Sequence, residues 1–179
     1  MPNIPTLTTD RLLLRPFSMD DVERVTGLLQ TPDVAATTLY VPYPYSSEDA
    51  ATWIATHPHA AELGQSLSWA ICAREDGLVM GTIGIGINAY HNRGTLGYWM
   101  GAPYWGQEFT SEAAQAVVDY GFTTLDLHRI EATCMPDNIG SSRVMEKAGM
   151  TYEGTLREYY RKGDGFRDAA MYAVLRSER

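Results

Sequence analysis

Alternation and periodicity of apolar residues divide this chain into short strands and amphipathic helices. RLLLR at 11–15 reads as a short strand closed by Pro16. Ser18 followed by Asp21 is a capping-box-like start, after which Val22, Val25 and Leu29 give one apolar helical face. A loop rich in proline and tyrosine, VPYPYSS at 41–47, ends on serines able to cap a second helix containing Trp53 and Ile54, which Pro58 is expected to stop or kink. From Ser66 the period changes to two. SLSWAICAR, an EDG turn at 75–77 and LVMGTIGIGINA form an expected hairpin, and TLGYWM at 95–100 is a further strand. Ala113, Ala114, Val117, Val118, Gly121, Phe122 and Leu125 then repeat at helical spacing, with Glu112, Gln115, Asp119 and Thr123 on the opposite face. RIEATCM at 129–135 is a strand, and Val144, Met145 and Ala148 form the inner face of a helix stopped by Gly149. Two strand-like segments flank KGDG at 162–165. The result is mixed α/β, with strand-helix-strand-helix order in the C-terminal half.

The chain has 179 residues, with 14 Lys+Arg against 22 Asp+Glu and a formal net charge of −8. That length suits one domain spanning residues 1–179. The acidic balance argues against a nonspecific nucleic-acid or anionic-membrane binder and favours a cationic substrate. No apolar run reaches the length of a signal peptide or membrane span, so a cytoplasmic protein is expected. Cys72 and Cys134 lie in apolar strands without the spacing of a zinc site or disulfide framework and read as buried free thiols. His57, His59, His91 and His128 lack metal-ligand partners at short spacing; surface or capping roles are expected, and no metal site.

The stretch GYWMGAPYWGQEFTSEA, 97–113, runs from a strand through a glycine-bearing turn into a helix. Such a junction presents free backbone N–H groups and the positive end of a helix dipole to an anion, most naturally a phosphate. Gly101 and Gly106 have the spacing of a nucleoside-triphosphate loop, but Gln107 and Glu108 stand where that loop needs Lys and Ser/Thr. Gly81, Gly84 and Gly86 lie inside a strand, open no helix, and read as structural glycines of a bent or bulged strand rather than a dinucleotide fingerprint.

Five pieces, TDRLLLRPF, MGTIGI, LGYWMGAPYWGQEFTSEA, HRIEATCMPDNIGSSRVMEKAGM and EGTLREYYRKGDGFRDAAMY, cover nearly the whole chain. Together they resemble the GNAT superfamily of acetyl-CoA-dependent N-acetyltransferases, in the branch similar to the RimJ/RimL ribosomal-protein N-terminal acetyltransferases. The resemblance implies acetyl-CoA as cofactor and a strongly twisted mixed sheet of about seven strands with helices on both faces. It also implies a splay between two central parallel strands, here 95–100 and 129–135, that receives the pantetheine arm. By the same resemblance Trp99, Met100 and Gly101, the loop residues Trp105, Gly106, Gln107, Glu108, Phe109 and Thr110, and Asn138 and Ser141 hold the cofactor. Two departures stand out: Glu108 puts a carboxylate where the family loop has Gly or Ala, and Met145 occupies the place of a tyrosine proton donor. Ser141, three residues after Asn138, is where the branch implies a hydroxyl that hydrogen-bonds the CoA sulfur directly or holds a water that does, although serine is also favoured in a first helical turn.

The general base is less defined. Thr95 stands where many relatives carry a glutamate; Glu158 is the first candidate and Glu131 the second, and the plain alternative for either is a structural ion pair with a neighbouring arginine such as Arg129 or Arg157. Tyr40, Tyr43, Tyr45, Trp53 and Tyr90 are candidates for the acceptor wall. The expected activity is acetyl transfer to a primary amine, of a protein N-terminus, a polyamine or another small amine, by a monomer or homodimer. The alternative is a noncatalytic acyl-CoA-binding regulatory module.

Overall fold

A computed structural model describes residues 4–179. One eight-stranded sheet runs in the order β1-β2-β3-β4-β5-β6-β8-β7. Its strands are β1 Leu7–Thr8, β2 Leu12–Arg15, β3 Ser66–Ala73, β4 Val79–Asn88, β5 Arg93–Met100, β6 Arg129–Cys134, β7 Thr151–Lys162 and β8 Gly165–Leu175. Among the described residues only β5 and β6 pair in parallel, which makes the sheet mixed. The eighth strand is the two-residue β1, too short to show any alternation.

The helices are α1 Val22–Leu29, α2 Pro32–Thr37, α3 Ser47–Glu62, α4 Phe109–Thr123 and α5 Ile139–Lys147. Val25, Leu28, Val34, Ala50 and Ile54 bring α1, α2 and α3 together over Trp99 on one face of β5. Met145 of α5 and Val117 and Phe122 of α4 pack on the opposite face with Leu96 and Met100. Alternation along β5 thus feeds two separate cores. Ser46 opens α3 with a capping box to Asp49.

Two expectations are corrected. Pro58 does not stop α3, which continues past it to Glu62. Residues 32–37, to which the sequence pattern assigns no element, form α2 with Pro32 in its first turn, where the missing N–H has no helical partner to lose. His57 is neither surface nor cap: it is 7% exposed, with Phe17 and Trp53 packed around its ring, and neither nitrogen has a hydrogen-bond partner among the described residues. Cys72 and Cys134 are buried free thiols. Gly81 lies opposite a register shift at Ile71/Cys72, and a Cβ there would meet the Trp99 carbonyl oxygen at 2.4 Å. That glycine allows β4 to approach the end of β5 where the sheet opens.

Candidate active site

The ladder between β5 and β6 contains only Arg93, Gly94 and Thr95 against Arg129, Ile130 and Glu131. Beyond Thr95 the two strands diverge, while β5 keeps its register with β4 as far as Met100. The Gly101 N–H bonds the Met80 carbonyl on β4. Alternation then turns the backbone groups of Leu96, Tyr98 and Met100 toward the gap. One of these is closed, since the Trp105 indole N–H donates to the Met100 carbonyl at 2.6 Å. The others form an open strand edge that an amide-bearing arm can satisfy.

At one end the gap meets the loop that opens α4. Gly106 and Glu108 both have positive φ, +72° and +67°. These two left-handed residues curl the chain so that the first-turn N–H groups of α4 lack both helical partners and a side-chain cap. Arg11 braces the loop: it bonds Glu112 at 2.7 Å and the Gln107 carbonyl at 3.1 Å, and its guanidinium lies 4.6 Å from the centroid of the Phe109 ring. Glu108 turns to Lys147 on α5, and that hydrogen bond holds its carboxyl below the usual range.

Beyond β5 stands the start of α5. Asn138 caps this helix through the Ser141 N–H at 3.1 Å. The Tyr98 hydroxyl lies 2.8 Å from Ser141 Oγ and 3.0 Å from the Ser141 carbonyl oxygen. Burial pushes the Tyr98 phenol well above its ordinary value, and burial also raises the Cys134 thiol beside Ser141. At the far end Tyr40, Tyr45 and Trp53 form an aromatic wall with Glu48 and Asp49 at its rim. Lys162 of β7 fastens this wall by donating to the carbonyls of Ala35, Ala36 and Thr38 at 3.1, 2.6 and 2.9 Å. A single cavity of about 1420 Å³ joins the α4 loop, the strand gap and this wall.

Residues 11–151 match the acetyltransferase (GNAT) domain family. The chain belongs to the GNAT acetyltransferase family. It is 33% identical over 174 residues to the uncharacterized N-acetyltransferase p20 of Bacillus licheniformis, covering 97% of each chain. The crystal structure of a GNAT-family acetyltransferase from Bacillus anthracis superposes with a TM-score of 0.87 at 29% identity, covering 97% of this chain and 99% of the other. Mycobacterium smegmatis RimJ, in complex with CoA-disulfide, shares the fold at a TM-score of 0.89 and 23% identity over 99% of this chain and 90% of RimJ. GNAT acetyltransferases take their acetyl group from acetyl-CoA, and the open edge of β5, the uncapped α4 loop and the cavity between them fit that molecule.

Within this acetyltransferase, Trp99, Met100, Trp105, Gly106, Glu108, Thr110, Asn138 and Ser141 all line the cavity. Gly101, Gln107 and Phe109 do not. Gly101 presses its backbone against Leu28, where a Cβ would meet Cδ2 at 2.7 Å. Gln107 folds back on the Pro103 carbonyl at 3.0 Å, and Phe109 packs into the core beneath Arg11. Glu131 is buried at the root of the splay between Arg93 and Arg129, at 3.2 and 2.9 Å, and does not line the cavity. Glu158 is exposed at a β7 register shift with φ +49°, its N–H bonded to Asp168, and also lies outside the lining. Of the aromatic set, Tyr43 and Tyr90 are exposed and away from the cavity wall. Tyr98, Lys147 and Lys162 are the residues that sequence reasoning missed. Each acts through a partner distant in sequence, and only the strand alternation at Tyr98 offered a signal.

The Glu108–Lys147 pair carries a prediction. Glu108→Gly removes a negative charge from the cradle, releases Lys147 toward it and restores the residue type that prefers positive φ. Acetyl-CoA should bind about threefold to tenfold more tightly, and the gain should shrink as salt rises. Titration calorimetry of Glu108→Gly, Lys147→Met and the double variant tests this; a gain that survives in the double variant and does not shrink as salt rises would assign it to the backbone alone.

Proposed function

We propose that this enzyme acetylates a primary amine of a cationic acceptor by direct attack, with acetyl-CoA and acceptor bound together. The observation that carries this reading is the continuity of one cavity from the α4 loop to the acidic, aromatic wall. Acetyl-CoA supplies the acetyl group as a thioester. The α4-loop N–H groups hold its diphosphate, and the free groups of β5 orient its arm and polarise the reacting carbonyl. Glu48 and Asp49 attract the acceptor's positive charge, while Tyr45 and Trp53 exclude water around the attacking nitrogen. An α-amine of pKa near 8 is sufficiently neutral at pH 7 to give its proton to water, so the reading requires no dedicated carboxylate base. Most of the acceleration comes from proximity in the ternary complex.

Release of CoA thiol should therefore depend on an added amine when acetyl-CoA is offered with peptides of differing first residues, polyamines and aminoglycosides. Stabilisation by acetyl-CoA with no amine-dependent thiol release from a wide panel would instead favour the noncatalytic binder. Ser141→Ala should lower kcat about tenfold and leave acetyl-CoA affinity within about threefold, the pattern of a contact made chiefly in the transition state. An unchanged kcat would return Ser141 to helix capping alone.

A further inference from the structure

Tyr98 has one hydroxyl proton and two acceptors within reach, both on Ser141. If the proton goes to the Ser141 carbonyl at 3.0 Å, the serine hydroxyl must donate to Tyr98 across the 2.8 Å contact and is turned away from the cavity. If it goes to Ser141 Oγ instead, the serine proton is released to point into the cavity that both residues line. The two arrangements differ by hydroxyl rotation alone. The Ser141 carbonyl is not stranded by the second arrangement, because it lies in α5, where the backbone N–H four residues on is its natural donor.

We propose that Tyr98 is a positioning residue for acetyl transfer: it donates to Ser141 Oγ as sulfur departs and so aims the serine hydroxyl at the developing thiolate. This rests on the reading of Ser141 as the group beside the sulfur. As the carbon–sulfur bond breaks, its electron pair stays on sulfur, the new carbon–nitrogen bond is already made, and the amine's proton passes to water. Ser141 transfers no proton, because a serine alkoxide is a far stronger base than a thiolate. Its role, and that of Tyr98 behind it, is a chain of hydrogen bonds in which each donor strengthens the next. The burial that disfavours a Tyr98 phenolate keeps that phenol a donor throughout. Met145, at the place of the family's usual donor, is fully buried and has no proton to give, so the two-residue chain from β5 through α5 supplies what that position lacks.

The test is the acidity of the CoA thiol bound to the enzyme, read from ultraviolet thiolate absorbance under reducing conditions after subtracting the titration of the protein alone. Relative to wild type, Ser141→Ala should raise the bound thiol's pKa by about one unit, the loss of one charge-assisted hydrogen bond. Tyr98→Phe, which keeps the ring and the packing, should raise it by about half a unit. Tyr98→Phe should also lower kcat about threefold with little change in the KM for acetyl-CoA, and should have no further effect in the Ser141→Ala background. If Ser141→Ala leaves the thiol pKa unchanged, the reading of Ser141 fails and the proposal falls with it. If Ser141→Ala shifts it but Tyr98→Phe does not, Ser141 keeps its role and the inference about Tyr98 is overturned. Equal effects of Tyr98→Phe in the two backgrounds would likewise assign Tyr98 to packing.

Discussion

Acidification from pH 7 to pH 4 is expected to cost the folded protein up to about 3 kcal/mol through His57 alone. Burial lowers its folded-state pKa from 6.5 to about 4, and at 1.36 kcal/mol per unit the 2.5-unit difference sets that limit. The sign follows from proton uptake. Between pH 6.5 and 4 the unfolded chain binds a proton that the native state refuses, so stability rises with pH across this window and levels off above it. Phe17 and Trp53, which pack against the ring, carry no charge to compensate an imidazolium. Carboxylates act lower on the pH scale: against the opposing effect of burial, hydrogen bonds from Arg15 hold Asp21 below its usual value, and from Thr9 hold Glu112 below its own. Their contribution is lost only as pH falls beneath about 4. His57→Leu should be at least as stable as wild type at pH 7, since it removes two unpaired buried nitrogens, and its stability should be flatter from pH 6.5 to 4. Urea denaturation at several pH values measures both; parallel pH curves for the two proteins would show that His57 finds a partner or water in solution.

His57 also shows what kind of information the sequence made legible. Ala50, Ile54, His57 and Ala61 are the buried residues of α3, and their spacing of four, three and four is a helical stripe. Attention to Pro58 obscured it, because a proline one turn before a helix end costs less than the apolar stripe gains. Strands β3 to β6 and helix α4 were readable for the same reason that they are stable: their apolar residues recur at the spacing of the element and are buried in the cores. α2 was not readable, since PDVAAT has only Val34 buried. The site divides similarly. The α4 loop and Ser141 carry local patterns, and the family resemblance identified them. Contacts that join distant segments have no local pattern: Lys162 meets α2 across more than a hundred residues, and Tyr98 meets Ser141 across 43. Glu131 stayed ambiguous because a carboxylate in a central strand signals either catalysis or an ion pair, and the pairing with Arg93 and Arg129 joins residues of two strands that no local pattern links.

The largest effect on donor binding is expected from Gly106→Asp. Gly106 has φ +72°, lines the cavity, and has no heavy atom within 4 Å of where a Cβ would lie. The backbone therefore disfavours a side chain by about 1 kcal/mol, yet nothing nearby clashes with one, and aspartate is among the residues that tolerate this conformation. The fold should persist. What changes is charge: a carboxylate projects into the cradle that would hold the diphosphate, and at a separation of about 5 Å each pair of unit charges repels by roughly 332/(20 × 5), about 3 kcal/mol before salt and relaxation reduce it. Affinity for acetyl-CoA should fall at least about a hundredfold at low salt, with partial recovery as salt is added, and the thermal stabilisation that acetyl-CoA confers should disappear at moderate concentration. Gly106→Asn is the decisive control because it has the same shape and the same backbone preference without the charge. It should lose no more than about tenfold, whereas its loss would equal that of Gly106→Asp if the effect were one of bulk or loop geometry. Titration calorimetry of both variants at low and high salt separates these cases, and wild-type affinity in both would remove the diphosphate from the α4 loop.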